Sequence, residues 1–127
     1  MADLSPQGFA PTKPLASAAQ AQDPQRAAAG AVVEVFEPIV QTGTEISMRQ
    51  ATVLARAVQS PGKETVRSLA AAMKVSKPAI TRALDRLDEL KLAHRLKDPK
   101  DRRSIFVQPT SKGRAWVAAV AKTLGAL

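Results

Sequence analysis

Residues 98–113 read DPKDRRSIFVQPTSKG. Lys100, Arg102 and Arg103 crowd around Asp98 and Asp101, and the chain then turns abruptly apolar at Ile105, Phe106 and Val107. Two readings compete. The stretch is either an ordinary solvated turn between two strands or a charged loop held out to touch a polyanion. Its neighbours decide between them. Just upstream, Leu92, His94 and Leu96 alternate with a period of two, which predicts a strand. A second strand is expected over 104–108, with the charged residues as the loop of a hairpin. Downstream, Ser111 is expected to cap a helix from 112 to about 124 that carries Trp116, Val117 and Val120.

Four helices are predicted before the hairpin. Asp23-Pro24 reads as an N-cap followed by proline at the first helical position. From there Ala28, Ala31, Val32, Val35, Phe36 and Ile39 recur at helical spacing over 24–41, with Pro38 expected to kink the helix and Gly43 to end it. That stripe either packs within the same domain or covers another body. Ser47 and Gln50 form a capping box ahead of a helix at 48–59, whose inner face is Val53, Leu54, Ala57 and Val58. Thr65 caps a short helix at 66–73, with Val66, Leu69, Ala70 and Met73 inward. A tight turn at Lys74-Val75 leads to Ser76, which caps a helix at 77–90 lined inside by Ile80, Ala83, Leu84 and Leu87. Residues 1–22, rich in Ala, Pro, Gln and Ser without apolar period, read as a flexible tail. No internal repeat is visible.

Composition narrows the function. Apolar residues make up 45% of the 127 and aromatics 3%, so a core built from Ala, Val, Leu and Ile is affordable in one domain. The absence of Cys removes disulfides and thiolate chemistry, and a single His leaves little for a metal site. An enzyme would need nucleophile, base and oxyanion groups converging in a pocket, for which few candidates remain. Neither an enzyme, a metal nor a cofactor is therefore expected. No apolar run is long enough for a membrane helix and the N-terminus lacks a secretory pattern, so the expected location is cytoplasmic, with no membrane contact. The formal charge is +8. Residues 61–114 hold 14 Lys/Arg against 6 Asp/Glu, while the rest of the chain holds 5 and 5. All the excess positive charge sits in one segment, the footprint of a nucleic-acid surface.

A short helix, a tight turn and a longer amphipathic helix make a helix-turn-helix, a weak pattern on its own. The outer face of the second helix strengthens it. Lys77, Thr81, Arg82 and Arg86 lie opposite Ile80, Leu84 and Leu87, with the acids Asp88 and Glu89 at the far end. A recognition helix puts its N-terminal half in the major groove, where cations and hydroxyls bond base edges and phosphates. The expected contact set on this helix is Ser76, Lys77, Pro78, Thr81, Arg82 and Arg86. The hairpin that follows is expected to be a wing beside it, contacting DNA through Lys97, Lys100, Asp101, Arg102 and Arg103. Asp101, two residues before Arg103, is expected to brace its guanidinium for a narrow minor groove. Lys63 and Lys112 are expected to meet the DNA backbone. His94 reads as structural or phosphate-facing, and Trp116 as a core or interface anchor.

Residues 64–113 resemble the multiple antibiotic resistance regulator (MarR) family of winged-helix transcription factors. VRSLAAAMKVSKPAITRALDRLDELKL resembles that family's helix-turn-helix, and Asp101, Arg103, Thr110 and Gly113 match its wing signature residue for residue. Pro109 stands where the family usually has leucine, and Lys91 replaces a customary glycine after the recognition helix. The resemblance implies a mostly α fold with a small β-hairpin wing, and terminal helices that dimerise. It places 23–127 in a single domain, with a DNA-binding lobe at 47–111 and dimerisation helices at 24–46 and 112–127. Dimer contacts are expected at Val32, Val35, Phe36, Ile39, Trp116, Val117, Val120 and Leu124, since pairing two apolar stripes across a two-fold axis hides both. The implied function is a sequence-specific double-stranded DNA-binding regulator, a repressor in most of the family, acting as a homodimer on a pseudo-palindromic operator. A small-molecule effector of unknown identity is possible, as in other members, although no residue marks its pocket. The alternative is a winged-helix protein-interaction adaptor or antirepressor without its own operator, because fold alone does not fix function.

Overall fold

The computed structural model describes residues 23–125. They divide between Thr42 and Gly43 into two units, each taken by itself. The tail expected at 1–22 lies outside the described residues. The first unit holds α1 (Pro24–Gln41). The Asp23 carboxylate accepts from the amides of Gln25 and Arg26 at 3.1 and 3.3 Å, which satisfies two of the free donors at the helix start. Pro38 lies inside the helix, Thr42 caps its C-terminus and Gly43 follows at φ +77°. None of its residues is buried, and Val32, Val33 and Val40 are more than half exposed.

The second unit runs α2 (Met48–Gln59), α3 (Val66–Met73), α4 (Lys77–Glu89), β1 (Ala93–Lys97), β2 (Ile105–Pro109) and α5 (Ser111–Thr123). Each of its first three helices starts on a hydroxyl. Ser47 and Gln50 bond each other's backbone amides at 3.0 and 2.8 Å, and Thr65 and Ser68 do the same for α3. Ser76 accepts from the amide of Ala79 at 3.2 Å to open α4. These boxes fix where each helix begins, and the apolar period then fixes what it buries. Val53, Leu54 and Ala57 of α2, Leu69 of α3, and Ile80, Leu84 and Leu87 of α4 close into one core with Leu92 and Val107. Each fully buried Leu, Ile or Val adds about 1.5–3 kcal/mol of transfer free energy. Val58, Val66 and Met73 pack partly buried around it.

Helices α3 and α4 end alike. Lys74 and Lys91 take left-handed conformations, at φ +56° and +60°. After Lys74, the Val75 amide reaches back to the Ala70 carbonyl at 3.1 Å; after Lys91, the Leu92 amide reaches Leu87 at 2.8 Å. Both are Schellman closures with lysine where glycine is usual, and each strained residue is offset in part by a cation at a helix C-terminus. The second closure corrects the strand reading. Leu92 is buried because it lies just past α4 and packs on the core, not because it begins a strand. In β1 itself Ala93 is buried and Arg95 half-buried, while His94 and Leu96 are exposed. The inward set is therefore the opposite one to that expected from the alternation of Leu92, His94 and Leu96.

The hairpin is antiparallel, with Arg95 opposite Val107 and Leu96 opposite Phe106. Val107 is fully buried, and its amide donates to the Glu64 carbonyl at 3.0 Å, tying β2 to the entry of α3. Pro109 ends β2, where a missing amide costs no ladder bond in the hairpin's interior. The cap of α5 is Thr110, not Ser111. Its hydroxyl accepts from the Gly113 amide at 3.0 Å and donates to the Lys91 carbonyl at 2.6 Å, while its amide donates to the Leu92 carbonyl at 3.0 Å. A β-carbon on Gly113 would stand 2.1 Å from that Leu92 oxygen. Backbone cannot yield there as a flexible side chain could. Gly113→Ala is accordingly expected to cost about 3 kcal/mol, at the upper end for overpacking. Lys91→Gly is expected to stabilise by about 1 kcal/mol by relieving the left-handed strain. Urea unfolding midpoints of the two variants check both signs.

Candidate nucleic-acid interface

Helix α4 presents Lys77, Pro78, Thr81, Arg82 and Arg86 to solvent, opposite its buried residues Ile80, Ala83, Leu84 and Leu87. The hydroxyl of Ser76 is already committed as the helix cap. Arg86 carries an ion pair to Glu89 at 3.1 Å, an i,i+3 contact between two well-exposed side chains. Such a pair contributes about 0–1 kcal/mol and opens at little cost when a better acceptor arrives. Among the described residues no hydrogen bond or ion pair engages the side chains of Lys77, Thr81 or Arg82.

Asp88 and Glu89 stand at the far end of α4, but a further acid, Asp85, sits in the middle of the helix. It does not stand free. Arg95 of β1 bonds both the Asp85 carboxylate and, at 3.0 Å, the Thr81 carbonyl. The neighbouring strand residue His94 lies with its Nδ1 2.8 Å from the Asp88 carboxylate. Two acids of the helix are thus matched by side chains of the hairpin. Arg95 was missed because its inward position follows from the register of β1. The available signal was a cation on the strand facing an acid on the preceding helix.

Residues 98–104 form the loop between the strands, and Lys97, Lys100, Asp101, Arg102 and Arg103 are all exposed. The role expected for Asp101 needs correction. Its carboxylate accepts from the Arg103 amide at 3.0 Å and from the Ser104 hydroxyl at 3.1 Å. Asp98 similarly accepts from the Lys100 amide at 2.9 Å. The aspartates shape the loop by Asx turns, because a short carboxylate two residues upstream reaches a backbone amide more readily than a guanidinium. Among the described residues the ion pairs are Arg86–Glu89 and Arg95–Asp85, with His94 in hydrogen-bond contact with Asp88, so Arg103 is oriented through its backbone alone.

Lys63 is exposed in the turn after α2. Lys112 is also exposed, but its ammonium donates to the Leu90 carbonyl at 3.0 Å and so neutralises the C-terminus of α4. Two of its donors remain for another acceptor. The apolar residues expected at a dimer interface fall in both units. Val32, Val35, Phe36 and Ile39 lie on α1, and Phe36 is 41% exposed. Trp116, Val117, Val120 and Leu124, with Ala51 and Ala55 of α2, line an open apolar groove of about 560 Å³ between α2 and α5. No helix among the described residues is long and apolar enough to cross a membrane.

Comparison with known proteins agrees with this geometry. Residues 46–105 match the MarR family model. No curated protein matches the sequence. Among solved structures, a MarR variant from E. coli complexed with operator DNA is 27% identical, with a TM-score of 0.61 over 75% of this chain and 64% of that one. The chain therefore spans less than two thirds of that protein's length. The YusO protein of Bacillus subtilis is 28% identical, with a TM-score of 0.66 over 87% of this chain and 79% of that one. An S. aureus MepR variant bound to an oligodeoxyribonucleotide shares the fold at 20% identity, with a TM-score of 0.69 over 80% of this chain and 72% of that one. The family model covers the helix-turn-helix and the loop of the hairpin, the parts that carry the exposed cations, and over these residues the chain carries a winged helix-turn-helix of the MarR type.

Proposed function

We propose that the chain is a sequence-specific double-stranded DNA-binding transcriptional regulator, a repressor that binds a pseudo-palindromic operator as a homodimer. The observation that carries this reading is the state of the charges on α4 and the hairpin. Asp85 and Asp88 are matched by Arg95 and His94, while Lys77 and Arg82 have no acidic partner among the described residues. Lys97, Lys100, Arg102 and Arg103 are likewise unpaired beside them in sequence. A face whose acids are engaged by the neighbouring strand and whose cations are free favours a polyanion. The operator-bound E. coli relative lends support, since its fold is shared over three quarters of this chain.

In this reading 47–111 is the DNA-binding lobe. Ser76, Lys77, Pro78, Thr81, Arg82 and Arg86 enter a major groove, and the loop cations lie along the neighbouring minor groove. Lys63 and Lys112 meet phosphates. The apolar faces of 24–46 and 112–127 pair across a two-fold axis, which sets recognition helices about 34–36 Å apart, one turn of DNA. The uncovered stripe of α1, with no residue buried, supports this pairing.

Titration against duplex DNA at several salt concentrations tests the proposal. Affinity is expected to fall linearly with salt on logarithmic axes, and Lys63→Ala to flatten the slope by about one unit. Arg82→Ala is expected to cost about 1–3 kcal/mol and to relax preference at one base pair. Arg103→Ala is expected to weaken binding more than Asp101→Ala, which loosens the loop without removing a cation. Binding that survives high salt and ignores these cations contradicts the proposal and fits a protein-interaction adaptor. For the dimer, Val35→Glu is expected to shift the protein toward monomer in analytical ultracentrifugation, with loss of affinity. A wild-type monomer at micromolar concentration that binds tightly contradicts it.

A further inference from the structure

Arg95 has an unusual position for a cation of the hairpin. Only 30% of its side chain is exposed, and it faces α4 rather than the solvent that receives Lys97. Its Nη2 donates to two acceptors, the Thr81 carbonyl and the Asp85 carboxylate, which lie one turn apart on α4. The carbonyl belongs to the turn that carries Thr81 and Arg82, the side chains proposed to read bases. A planar guanidinium that grips both a backbone oxygen and a carboxylate resists rotation better than a point charge does. His94 adds a second contact from the same strand to Asp88, one helical turn further on.

We propose that Arg95 and Asp85 form a clasp that fixes the angle between α4 and the hairpin, and so sets DNA affinity without touching DNA. The inference rests on the DNA-reading function proposed above and names two positioning residues for it. Strand β1 leads directly into the charged loop, so a bond from its middle residue to Thr81 ties the loop's placement to that of the helix. Without the clasp the two elements keep their contacts but must be aligned during binding, and part of the binding free energy goes to that ordering. Asp85 supplies a sharp contrast. A carboxylate on a helix that approaches phosphates repels them, so on charge alone its removal strengthens binding. The clasp requires the opposite sign.

The test uses Asp85→Asn, Arg95→Met and the double variant in the full chain. Each is titrated at several salt concentrations against a duplex enriched from a random pool and against a scrambled duplex of equal length. Asp85→Asn, although it removes a negative charge, is expected to weaken the enriched duplex roughly five- to tenfold, and the double variant to cost no more than Arg95→Met alone. The salt slope of Arg95→Met is expected to stay at the wild-type value, and the scrambled duplex to be unaffected by Asp85→Asn. Equal or tighter binding by Asp85→Asn overturns the clasp. So does a slope about one unit flatter in Arg95→Met, which marks a direct phosphate contact. Single variants that lose the folded circular-dichroism signal also overturn it, the pair then being structural only. A wild-type protein that prefers no duplex is a separate result: it removes the DNA-reading function, and the clasp with it, before any variant is compared.

Discussion

The rest of the lobe depends on the meeting of Thr110 and Gly113 with the two carbonyls that follow α4. One hydroxyl serves as the N-cap of α5 and as a donor to Lys91, and the absence of a β-carbon at Gly113 lets the first turn of α5 sit against the Leu92 oxygen. Three elements are fixed at this point: the end of α4, the base of the hairpin and the start of α5. The clash that any β-carbon at Gly113 would make with the Leu92 oxygen means that the geometry tolerates few alternatives. The role of Thr110 and Gly113 is thus structural. They hold α4 and the hairpin in place relative to each other.

A second constraint is electrostatic. A helix proposed to lie against phosphates does best without free anions, yet α4 carries Asp85, Asp88 and Glu89. The hairpin answers two of them with Arg95 and His94, and Arg86 answers the third from within the helix. The pairs contribute little stability at the surface. Their consequence is that cations and hydroxyls dominate the outward face of the first half of α4, next to a loop shaped by two Asx turns. Rigid scaffolds that present charged loops are a common way to separate stability from binding.

Much of this was legible in the residues. Capping hydroxyls at Ser47, Thr65 and Ser76 mark helix starts because their geometry is local, and the apolar period of α2 to α4 names the core directly. The hairpin was legible from its charged loop and apolar second strand. Its facing was not. Leu92 looks like a strand residue until Lys91 takes a left-handed conformation, and nothing in a lysine announces that. With the register so displaced, Arg95 moves inward and becomes the partner of Asp85, a contact ten residues apart that no local rule supplies. The Asp101–Arg103 spacing misled for a related reason: it fits a side-chain pair and an Asx turn equally well, and the backbone amide is the nearer donor. Thr110 in place of Ser111 as the cap of α5 is a one-residue shift decided by the carbonyls of Lys91 and Leu92, which lie far away in sequence.

Selection of bound duplexes from a random DNA pool tests the central claim most directly, that α4 reads base sequence with the hairpin held beside it. The account predicts enrichment of two inverted half-sites with centres about one helical turn apart, roughly 10–10.5 base pairs, as a two-fold dimer of such lobes requires. Recovery of the pool without any enriched sequence, at salt concentrations where the protein still binds, would contradict it.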